Sequence, residues 1–176
     1  MKTPFQGFWR ALLMIAIAAG PVWCAGTAHA GRKCSDETLK GTYGFRVSGE
    51  ILAGTLSRPT STVAVFRDGV ALTNFDGQGG LTQQDFVLGN GVPNSGPTET
   101  GFQDMETGTY KVNANCTGTF TINFAAPPGD TTGAVIVTMF VLTNNGRTIH
   151  TIVSSLTPPD ATEPVPASIH SDGERQ

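Results

Sequence analysis

Beyond residue 30 this 176-residue chain has no tryptophan, for Trp9 and Trp23 are its only two. That absence weighs against an immunoglobulin-type sandwich, whose inter-sheet disulfide packs on a buried Trp. Histidine is also scarce, with only His29, His150 and His170. No Gly-x-Ser-x-Gly, His-Glu-x-x-His or phosphate-cradling loop occurs, so no catalytic motif, metal site or cofactor is implied. Charged residues make up 14% of the chain and form no basic cluster. Without one, nucleic-acid binding and attachment to anionic membranes lose their electrostatic driving force. No apolar run approaches the roughly 20 residues a membrane-spanning helix needs.

What the chain does have begins with a tripartite leader. Lys2 and Arg10 precede the apolar run Ala11-Leu12-Leu13-Met14-Ile15-Ala16-Ile17-Ala18-Ala19, and Ala28-His29-Ala30 supplies the small residues a signal peptidase requires. Residues 1–30 therefore read as a signal peptide, with a mature start at Gly31 and a periplasmic or extracellular destination. Lys2 and Arg10 leave with it, so 9 basic residues face 14 acidic ones. Cys24 is also removed, while Cys34 and Cys116 remain as a pair in an oxidising compartment. A Cys34–Cys116 disulfide is expected, restricting the unfolded chain by about 4 to 5 kcal/mol in the chain-entropy model. Two cysteines without neighbouring histidines cannot complete a tetrahedral metal site.

From residue 41 the periodicity is that of strands. Tyr43, Phe45 and Val47 alternate with Gly44, Arg46 and Ser48, and Phe120, Ile122 and Phe124 alternate with Thr119, Thr121 and Asn123. Residues 62–75 read as one strand interrupted at Arg67-Asp68-Gly69 by a bulge or turn. Asp76-Gly77-Gln78-Gly79-Gly80 and Asn144-Asn145-Gly146 read as tight reversals; the spaced ligands of a calcium loop are missing. The strand from Val135 to Leu142 is apolar on both faces, as expected of one covered on both sides or used in oligomerisation. Seven or eight short strands with hairpin turns predict an all-β fold: a small antiparallel up-and-down barrel of about eight strands with one disulfide, the alternative being a β-sandwich. The barrel domain spans residues 31–156. Residues 157–176, rich in proline and without apolar periodicity, read as a disordered tail that adds nothing to the core.

Cys34-Ser35-x-x-Thr38-Leu39-Lys40-Gly41-Thr42-Tyr43, Phe75-Asp76-Gly77-Gln78-Gly79-Gly80 and Gly108-Thr109-Tyr110-x-Val112-x-x-x-Cys116-Thr117-Gly118 resemble the punctuation of a group of uncharacterised exported bacterial proteins. The resemblance covers about residues 34–154 and brings no site residues with it. Leu39-x-Gly41-x-Tyr43 is similar to the Gly-x-Trp opening of lipocalins, with Tyr in place of Trp, and the barrel expected here is calycin-like. In such a barrel alternate residues line the lumen, so either Tyr43 with Tyr110 or Arg46 with its neighbours points inward, and Tyr43, Phe45, Arg46, Tyr110 and His150 are the candidate lumen or ligand residues. Filling by side chains and a cavity for a small apolar ligand are equally compatible with the sequence. The leading expectation is an exported binding or interaction module. The alternatives are an isomerase- or cyclase-like enzyme using Tyr43, Arg46, Tyr110 and His150, and an envelope structural or adhesion protein assembling through Val135 to Leu142.

Overall fold

Strand alternation carries through to closure of the sheet. The computed structural model describes residues 33–52, 63–94 and 101–176; the signal-peptide reading lies outside them. A 3-10 turn, Asp36–Leu39, precedes nine strands: β1 Gly41–Ile51, β2 Val65–Phe75, β3 Gly80–Gly89, β4 Val92–Pro93, β5 Gln103–Val112, β6 Thr117–Asn123, β7 Val135–Thr143, β8 Thr148–Thr157 and β9 Ala167–Arg175. All pairings between them are antiparallel. The order β2-β1-β9-β8-β7-β6-β5-β3 returns to β2 through the β2–β3 pairing. This is a closed eight-stranded up-and-down barrel, with β4 a short addition on β3. Closure leaves no open edge around the ring.

Two expectations need correction. Residues 67–69 do not interrupt β2, because Arg67, Asp68 and Gly69 pair continuously with Gly89, Leu88 and Val87 of β3. Gly69 is a close-approach position: a Cβ there would lie 2.5 Å from the Phe86 carbonyl oxygen. The proline-rich tail is the second correction, since Ala167–Arg175 forms β9 and pairs with both β1 and β8. Its place depends on backbone hydrogen bonding to two otherwise open edges, a demand that apolar periodicity does not record. Few apolar side chains are needed there: Ile169 is buried, and Gly173 lets the Phe45 and Ile149 side chains approach to where a Cβ would stand, 2.5 and 2.7 Å away.

The doubly apolar strand β7 divides between two environments. Thr138, Phe140 and Leu142 are buried inward, whereas Met139 and Val141 are exposed on the outer surface among the described residues. Coverage on both sides is thus not found there.

The lower end of the barrel, where β1 begins, is closed. Tyr43 and Phe75 meet edge-to-face at 5.5 Å, Phe75 and Tyr110 at 5.1 Å, and Phe120 stacks on Phe140 at 5.9 Å. Leu39, delivered by the 3-10 turn, is fully buried among them. The Cys34–Cys116 disulfide ties that turn to the β5–β6 connection, with Cα atoms 5.0 Å apart across a sequence separation of 82.

Candidate functional site

Above the aromatic plug the barrel is hollow. A cavity of about 430 Å3 runs from Phe45 and Phe120 up to the end where β1 and β8 finish and β2 and β9 begin. That volume lies within the roughly 300–1,000 Å3 of small-molecule sites. Phe45, Val47, Ile122, Ile136, Val153 and Ile169 give it apolar walls. The strands supply them through their period of two: each inward residue of β1, β6, β7, β8 and β9 stands next to an inward residue of its neighbours.

One arc of the wall, from β2, β3 and β5, is polar. Thr73 Oγ1 donates to Gln83 Oε1 at 2.8 Å, and Gln83 Nε2 donates to Glu106 Oε2 at 2.8 Å. Glu106 is only 2% exposed and Asp85 only 6%. Desolvation raises Asp85 to about 6, against the opposing pull of the Glu106 hydrogen bond and of Arg67. Desolvation likewise raises Glu106 to about 8, reinforced by the neighbouring Asp85 charge. The physical direction is the one expected for two carboxyls sharing a dry site. The two carboxyls titrate as a pair, and Glu106, the more strongly raised, is the last to lose its proton. An ionised Glu106 would leave Oε1 buried without a donor, since none contacts it. Desolvation also lowers Arg67, against the attraction of Asp85. Arg67 Nη1 is buried without an acceptor, and no direct ion pair joins it to Asp85 among the described residues.

The residues expected to line a lumen divide three ways. Phe45 faces the cavity. Tyr43 and Tyr110 face inward but belong to the plug, where their hydroxyls are occupied. The Tyr43 hydroxyl donates to the Gly146 carbonyl and accepts from Arg175 Nε at 3.0 Å and Nη2 at 2.7 Å. The Tyr110 hydroxyl accepts from Gly77 N at 2.8 Å and donates to the Asp36 carbonyl at 3.2 Å. Burial raises both phenols above their ordinary range. Arg46 and His150 are corrections, because both are exposed on the outer surface. Their parity is the reason: each alternates with an inward neighbour, Phe45 or Ile149, and His150 Nδ1 pairs with Asp172 Oδ1 at 2.6 Å. The four residues named for an enzyme are therefore not brought together.

Sequence reasoning missed Arg67, Gln83, Asp85 and Glu106. A signal was present, since Gln83 and Asp85 share the parity of buried Leu81, and Glu106 that of Tyr110. Polar residues in an apolar register mark a polar interior position.

Among the described residues no group of three or more His, Cys, Asp or Glu could hold a metal ion. No family model matches this chain, and no curated protein matches it. The geometry of the lumen carries the functional reading.

Proposed function

We propose that this chain is an exported, disulfide-stapled binding protein that takes a small, largely apolar ligand into the upper half of its barrel. The observation that carries the reading is the division of the lumen: side chains fill the lower half and leave the upper half as an apolar-walled cavity. A fold that only needed a core would gain by filling that space as well, since unfilled volume forfeits packing energy. Export is supported by the leader and by the disulfide, which persists in oxidising compartments. Mass spectrometry of protein recovered from the cell envelope or medium should give a Gly31 start. An intact Met1 would remove export from the proposal.

Binding is tested with N-phenyl-1-naphthylamine, a neutral apolar fluorophore. Saturable enhancement at one site per chain is expected, together with its loss in Ile136→Trp, which fills the cavity from β7. Equal binding by Ile136→Trp, with folding confirmed by circular dichroism, would place the fluorophore elsewhere.

A further inference from the structure

The polar arc offers a ligand a buried guanidinium Nη1 with no acceptor and, on the same cavity wall, the Asp85 carboxyl, which forms no ion pair with it among the described residues. Arg67, Gln83 and Asp85 all line the cavity, whereas Glu106 sits behind them. Glu106 is thus a positioning residue. Its Oε2 accepts from Gln83 Nε2 at 2.8 Å and so fixes the Gln83 amide on the cavity wall.

Charge balance then limits the ligand. Among the described cavity-lining residues, β2 contributes Arg67 and β3 contributes Asp85, with Glu106 of β5 behind, while β1, β6, β7 and β8 contribute no charged group. His170 of β9 borders the cavity but is exposed and hydrogen-bonds Ser48 Oγ at 3.1 Å. The polar arc therefore carries one cation and one anion. A ligand bearing its own carboxylate or ammonium would bury an unmatched charge, which a desolvated site penalises. A head group with an acceptor and a donor but no charge satisfies both sides.

Resting on the lumen-binding reading, we infer that Arg67 and Asp85 form a head-group subsite for an uncharged amphiphile of the carboxamide kind, its carbonyl accepting from Arg67 and its N–H donating to Asp85.

The test uses decanamide, decanoate and decylamine, each competed against N-phenyl-1-naphthylamine near neutral pH on the full mature chain. Decanamide should bind about tenfold or more tightly than either charged homologue. Arg67→Gln should shift the ranking toward decylamine, and Asp85→Asn toward decanoate, reversals that a purely structural role for these residues would not produce. An equal ranking of the three probes in wild-type protein, or a preference for a charged one, overturns the inference whether or not either variant folds. If the fluorophore binds but the head groups are not discriminated, the subsite falls and the lumen reading stands. If the fluorophore does not bind, both fall.

Discussion

Asp85 and Glu106 give the protein an unusual pH response. Carboxyls that are paired in a fold commonly titrate below their ordinary values, but these are raised from 3.8 to about 6 and from 4.5 to about 8. Folding therefore takes up protons at this pair, and the associated stability is complete below the ordinary carboxyl range. It is lost as pH rises, between about 4 and 6 for Asp85 and between about 4.5 and 8 for Glu106. The melting temperature should fall by roughly 5 °C or more between the two ends of that range. Thermal melts of Glu106→Gln should show a flatter profile, because its amide donates to Asp85 without titrating. Tyr43 behaves differently, being fully buried with a satisfied hydroxyl. Tyr43→Ala should cost about 3 to 5 kcal/mol by chemical denaturation, and the folded fraction should bind the fluorophore with unchanged affinity. A loss of affinity greater than the loss of stability would mean that the plug and the cavity are one site.

Among the elements, β9 shows most clearly where sequence reading reaches its limit. The alternation of β1 and β6 makes their faces legible because half of each strand is apolar, and the Asp-Gly and Asn-Gly punctuation marks the reversals. Strand β9 has only Ile169 as a large buried apolar residue, so its composition resembles that of a solvated tail. Its register is fixed by β1 and β8, from Tyr43↔Arg175 to Ile51↔Ala167 on one side. Removing residues 167–176 should accordingly open the barrel, with loss of cooperative melting and exposure of backbone to hydrogen exchange along β1 and β8. Gly173→Val, which drives a branched side chain into Phe45 and Ile149, should be strongly destabilising by denaturant titration while leaving the chain full length. A truncated chain that melts like the parent would return the tail to the role its composition implies. The polar arc was less legible for a related reason. Gln83, Asp85 and Glu106 stand in the inward register, but only the pairing of β2 with β3 and β3 with β5 shows that they meet.

At the largest scale, the described residues form a barrel with one end plugged and stapled and the upper half of its lumen hollow. The lower end concentrates its stabilising contacts: the disulfide, the aromatic cluster, and Asp36, which binds Lys111 Nζ at 2.7 Å and Val112 N at 2.7 Å. The Cys34–Cys116 bridge runs from before the first strand to a hairpin turn, so it caps an end rather than joining two sheets. Whether the interior was filled could not be read from one chain, since it depends on how inward side chains from eight strands sum at each level. The outer surface carries exposed Met139, Val141 and Ile152, which offers a control for where a ligand goes. With isoleucine methyls labelled, titration of N-phenyl-1-naphthylamine should shift the resonances of Ile122, Ile136 and Ile169, which face the lumen, and leave Ile152 unmoved. Shifts confined to Ile152, or no shift at Ile136 at saturating fluorophore, would contradict a ligand-holding lumen.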